Sequence, residues 1–91
     1  MTTAKEIIKK YKIKTELEKS FSDLLNSNSC GDLNINNKEI SINTDNINYN
    51  KTTLNFHLFK TPILEKNNEV GYYALEYDSK FQIIDNYFVI N

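Results

Sequence analysis

Hydrophobic positions change their spacing near residue 30, and the change divides the chain into a helical part and a sheet part. From Thr3 to Asn28, Ile7, Tyr11, Leu17, Phe21, Leu24 and Leu25 fall on one broad stripe at helical spacing. Thr3 followed by Glu6, and Thr15 followed by Glu18, both have the form of a capping box, in which a hydroxyl and a carboxylate satisfy the free N–H groups at a helix start. Two readings follow. A single long helix places Lys10 and Lys14 near the middle of the apolar stripe, where only their stems can be buried. A break near Ile13 and Lys14 gives two shorter helices, the second starting at Thr15. Either way the helix ends by Ser29 or Cys30, with Gly31 just past its C-terminus.

Beyond that point the period is two. Leu33 and Ile35, then Ile40 and Ile42, alternate with polar neighbours across Asn36-Asn37-Lys38, which predicts a short hairpin over Asp32–Asn43. Thr44-Asp45-Asn46 makes the next break. Ile47 and Tyr49 have odd parity, whereas Leu54, Phe56 and Leu58 are even, so a loop or bulge is expected around Asn50 and Lys51. The run Thr52–Lys60 predicts a strand with His57 and Phe59 on its second face, ended by Pro62. Glu65-Lys66-Asn67-Asn68 is a polar turn into a closing hairpin, Glu69–Asn91, whose own turn is Asp78-Ser79-Lys80. Gly71, inside a strand, signals a bulge or a close backbone approach.

The expected architecture is α+β within one domain spanning residues 1–91. An N-terminal helical segment (3–29) packs on an antiparallel sheet (32–91) of four or five strands, mostly a meander. Val70, Tyr72 and Ala74 point to one side of the closing hairpin, and Tyr73, Leu75 and Tyr77 to the other. One helical layer covers one face. The Tyr73, Leu75, Tyr77 and Phe59 side is therefore either buried by strong sheet curvature or exposed as a tyrosine-rich interface.

Composition narrows the chemistry. The 91 residues carry a net charge of −1, and all 11 basic residues are lysine, so the planar bidentate forks of arginine are missing. One cysteine, Cys30, allows no internal disulfide and fits a reducing compartment. The N-terminal stretch has no continuous apolar region of the secretory type and no run reaches membrane-spanning length, so a cytoplasmic protein without a membrane partner is expected. The sole histidine, His57, and Cys30 lack a third orienting group at any recognisable spacing, and ligands for a metal are too few. With only Gly31 and Gly71, no phosphate loop can form. No catalytic residue, cofactor or metal is expected.

Charge is uneven: Lys5, Lys9, Lys10, Lys12 and Lys14 crowd the N-terminal segment, while Glu65, Glu69, Glu76, Asp78 and Asp85 dominate the end. An acidic, tyrosine-rich half suits a basic protein partner better than nucleic acid. The runs Gly71-Tyr72-Tyr73-Ala74-Leu75-Glu76-Tyr77-Asp78 and Ile84-Asp85-Asn86-Tyr87-Phe88-Val89-Ile90 resemble the closing hairpin of small bacterial immunity-type proteins. Those proteins accompany secreted polymorphic toxins, including the toxins of contact-dependent growth inhibition. The resemblance implies a non-enzymatic inhibitor that binds a cognate toxin domain, often a nuclease, and blocks it stoichiometrically. Tyr73, Tyr77 and Tyr87 would then be anchors, and Glu76, Asp78 and Asp85 would supply charge complementary to a basic cleft. Two alternatives stay open: a nucleic-acid-binding or regulatory domain working through the N-terminal lysines, and a homodimer with a structural or ligand-binding role.

Overall fold

The computed structural model describes residues 3–33, 35 and 39–91. Three helices precede the sheet: α1 (Ala4–Lys10), α2 (Ile13–Ser27) and the single turn α3 (Cys30–Leu33). The strands are β1 (Ser41–Ile42), β2 (Asn48–Lys51), β3 (His57–Glu65), β4 (Asn68–Tyr77) and β5 (Ile83–Ile90). They form one open antiparallel sheet in meander-like order, so the fold is α+β.

The helical segment is broken. Thr3 caps α1, its hydroxyl accepting from the Glu6 N–H at 3.2 Å, as the capping box requires. The break falls at Tyr11 and Lys12, just ahead of the expected position, and Lys12 takes a left-handed conformation with φ 53°. Starting α2 at Ile13 instead of Thr15 has a packing reason. Ile13, Leu17 and Phe21 then line one face at four-residue spacing, and all three are buried. Burying each contributes roughly 1.5–3 kcal/mol. At the other end Gly31 lies inside α3, where Ser29 and Asp32 exchange side-chain caps at 3.2 and 3.3 Å. Leu33 is therefore helical, not the start of a hairpin; the Asn36-Asn37-Lys38 turn lies outside the described residues.

The first half of the expected Thr52–Lys60 strand is a turn. The Thr52 N–H donates to the Phe56 carbonyl at 2.8 Å and the Asn55 N–H to the Thr52 carbonyl at 3.0 Å, with Asn55 at φ 63°. Asparagine tolerates that left-handed position. Pro62 does not end β3; it sits in the middle. One flank of β3 pairs with β4 throughout, and the other pairs with β1 at Ile63 and Leu64 and with β2 from His57 to Lys60. Pro62 falls between those two short strands. Its carbonyl accepts from the Asn43 N–H at 3.1 Å, so the N–H it lacks would have pointed into the gap between β1 and β2. Gly71 fulfils its sequence signal: a Cβ there would overlap the Val89 carbonyl oxygen of β5.

One sheet face is covered by the helices. His57, Phe59, Thr61 and Ile63 of β3, with Tyr73, Leu75 and Tyr77 of β4, are buried; most of these join the Ile13, Leu17 and Phe21 cluster. The helix thus lies on the Tyr73 face, and Tyr72 is on the other. Among the described residues the Tyr77 hydroxyl has no hydrogen-bond partner, and the Tyr73 hydroxyl has only Ser20 near it, beyond good hydrogen-bond geometry. Tyr77→Phe should therefore leave the unfolding free energy unchanged or raise it by up to about 1 kcal/mol. Tyr77→Ala should cost about 3–5 kcal/mol. Urea unfolding of both variants checks this; a Phe variant as unstable as the Ala variant would mean that the hydroxyl is satisfied.

Candidate functional site

β-pairing places three rows of side chains on the helix-free face: Leu58–Glu76–Asp85, Lys60–Ala74–Tyr87 and Pro62–Tyr72–Val89. Directly paired residues share a face, so Glu76 and Asp85 are cross-strand neighbours of like charge. Such pairs destabilise a sheet. Among the described residues no ammonium pairs with either. The Tyr87 hydroxyl donates to Glu76 Oε1 at 2.9 Å, and Asp85 Oδ1 accepts from the adjacent Asn86 N–H at 2.8 Å. The Glu76 bond, aided by the Glu76 and Asp85 charges, pushes the Tyr87 hydroxyl up to about 12. On the same face the Lys60 ammonium lies 4.2 Å from the Tyr72 ring centroid. Beside it, β5 is the edge of the sheet, and a bulge opposite Glu76 and Tyr77 leaves Ile83 and Ile84 47% and 45% exposed.

The six residues expected to bind a protein separate into three groups. Glu76, Asp85 and Tyr87 are brought together on the open face. Asp78 ends β4 and holds the turn, its Oδ1 accepting from the Lys80 and Gln82 N–H groups at 2.8 and 3.0 Å. Tyr73 and Tyr77 are corrections. At 0% and 3% exposure they are core residues and offer no surface for anchoring. Tyr72, Lys60, Ile83 and Ile84 were missed. Glu76 could have revealed the first of these, because a charged residue marks the parity that stays in water, and Tyr72 shares it.

A second cluster closes the helix side at the α1–α2 break. The Tyr11 ring stacks on Phe81 at 3.8 Å, Phe81 on His57 at 4.0 Å, and the Tyr49 hydroxyl lies 2.6 Å from His57 Nδ1. Phe81 occupies the left-handed position of the β4–β5 turn (φ 60°), equivalent to Asn55 in the β2–β3 hairpin. A phenylalanine there costs about 1–2 kcal/mol of backbone strain. Burial lowers the His57 pKa, Lys51 adds to the effect, and Asp78 opposes it. Among the described residues no cluster of histidine, cysteine and carboxylate could hold a metal, and no helix is long and apolar enough to cross a membrane.

Two titrations test these environments. Glu76→Gln should return the Tyr87 transition from about 12 towards 10, followed by alkaline absorbance; an unmoved transition would rule out the Glu76 bond as its cause. For His57 the folded pKa lies below the unfolded 6.5, so the unfolded chain takes up the proton first. Stability is then full above pH 6.5 and falls as the pH drops below it. Urea midpoints should show this loss in the native chain and not in His57→Phe, which keeps a ring in the stack. Compared with protein-family models, curated proteins and solved structures, the chain matches none.

Proposed function

We propose that the protein is a toxin-neutralising immunity protein that binds a cognate bacterial toxin domain through the helix-free sheet face and blocks it one-to-one. The observation that carries this reading is the Glu76–Asp85 pair capped by Tyr87. Two adjacent carboxylates without a cationic partner weaken the isolated sheet, and a basic partner surface would relieve that repulsion. Tyr72 and Tyr87 supply aromatic contact area beside the charges. The resemblance of the closing hairpin to immunity-type proteins supplies the partner class. A nuclease toxin, whose substrate is anionic, would present the required basic cleft. The protein would act in the cytoplasm of the toxin-producing cell, and the tyrosines that anchor it are Tyr72 and Tyr87 in place of Tyr73 and Tyr77.

The test is calorimetric titration against the toxin domain encoded immediately upstream, paired with growth of cells producing that domain. The native chain should bind one-to-one and restore growth. Glu76→Lys with Asp85→Lys should slow association about tenfold or more, with the largest effect at low salt. Tyr87→Ala should weaken binding by about 2 kcal/mol. Binding that ignores both changes would remove the open face from the interface, and absence of binding and protection would overturn the proposal.

A further inference from the structure

The aromatic cluster at the α1–α2 break lines a cleft of about 370 Å³. That volume lies within the range of roughly 300–1,000 Å³ typical of small-molecule sites. Tyr11, Tyr49, His57 and Phe81, with Ile7, make its apolar lining, and Lys10 and Lys51 are its charged groups. Among the described residues no carboxylate lines it, and Asp78 acts on it only from behind, through His57. The larger cleft of about 480 Å³ beside α1 differs in this respect, because its Lys14 is neutralised by Asp45 at 3.2 Å. The smaller cleft therefore combines flat rings with net positive charge.

The rings are presented for contact from outside. Tyr11 stacks one face on Phe81, remains 37% exposed, and has the Lys10 ammonium 5.4 Å from its centroid. Phe81 keeps its ring in that column at a left-handed backbone position, although the same turn geometry elsewhere in the chain uses asparagine. His57 lies beneath Phe81 and is only 8% exposed. Its role is to support the stack, not to meet a ligand. With Phe81 stacked on Tyr11 and the Lys10 ammonium over the ring, a planar heterocycle carrying a phosphate fits once Lys10 swings from the ring to the phosphate: stacking then holds the base, and lysine charge holds the anion.

We infer that this cleft is a nucleotide-binding site in which a base stacks on Tyr11 while Lys10 and Lys51 hold its phosphate. The same chemistry is offered by a free mononucleotide and by the end of a single strand of RNA. The cleft is on the helix side of the sheet, since Tyr49, Lys51 and His57 share the covered parity, whereas the proposed toxin-binding face is opposite. The two sites are independent, and failure of one leaves the other standing.

NMR titration of the labelled full chain distinguishes the outcomes, using adenosine 5′-monophosphate, adenosine, inorganic phosphate and a single-stranded RNA pentamer. Adenosine monophosphate should shift the resonances of Tyr11, Phe81, Lys10 and Lys51. Adenosine and phosphate alone should bind at least about tenfold more weakly, because each keeps only one of the two contacts. The combined Lys10→Gln and Lys51→Gln variant should lose about tenfold or more in affinity while its remaining spectrum is unchanged. A pentamer that binds at least about tenfold tighter than the mononucleotide identifies a strand end as the ligand; comparable or weaker binding identifies a free nucleotide. Shifts that are absent, scattered over the surface or indifferent to the lysine changes would overturn the inference.

Discussion

A chain of 91 residues with one helical segment can cover only one face of its sheet, yet β4 carries bulky groups on both. Which face takes the helix follows from desolvation. Along β4 the Tyr73, Leu75 and Tyr77 side carries no charge, and it buries with Phe59 and Ile63 against Ile13, Leu17 and Phe21. The opposite side carries Glu76, Asp85 and Lys60. Burying any one of them without a counter-charge would cost more than an apolar neighbour returns. The cost of the chosen side is smaller: two buried tyrosine hydroxyls that, among the described residues, make no well-formed hydrogen bond. Burial pushes the Tyr77 hydroxyl up to about 12, with Glu16 adding to the shift, so the group is neutral throughout the physiological range.

Covering that face leaves its end open, and the chain closes it with two left-handed residues. Lys12 at φ 53° turns α1 against α2 and brings Tyr11 over the sheet end; Phe81 at φ 60° directs its ring into the same space. Each conformation costs about 1–2 kcal/mol. An aromatic contact contributes about 0.5–1.5 kcal/mol beyond the area that it buries. The three ring contacts of Phe81, with Tyr11, His57 and Tyr77, and the associated burial therefore offset the strain. A local backbone conflict is tolerated because the tertiary stack outweighs it. The stack in turn fixes the position of α1, which places none of its own residues in the fully buried core.

This balance also explains what could be read in the sequence. Periodicity located the helical segment, the closing hairpin and the meander, because each rests on side-chain alternation within a short window. The register of the N-terminal break was misplaced by the capping pattern at Thr15, which was overridden by the burial of Ile13. Leu33 was misassigned because its alternation with Ile35 resembles a strand, whereas Ser29 and Asp32 cap a helical turn there. Pro62 reads as a strand end in the sequence because its tolerance depends on a gap between β1 and β2 that only the tertiary pairing creates. At the site, Glu76, Asp85 and Tyr87 were legible as neighbours across a hairpin. For Tyr73 and Tyr77 alternation leaves burial and exposure both open, and the charge at Glu76 on the opposite parity decides for burial. The Tyr11–Phe81–His57 column joins residues far apart in the chain and left no local signal.

The two surfaces so produced have opposite sign and lie on opposite sides of one sheet. The open face concentrates Glu76 and Asp85, and the cleft concentrates Lys10 and Lys51. A basic protein and an anionic nucleotide could therefore be held together without steric competition. Any coupling between them must pass through β3 and β4, which supply His57 to the stack and Glu76 to the open face. Leu58 and Glu76 are cross-strand partners, and so are His57 and Tyr77 one residue away. The register thus sets the cleft and the acidic pair one residue apart on opposite faces of the same two strands.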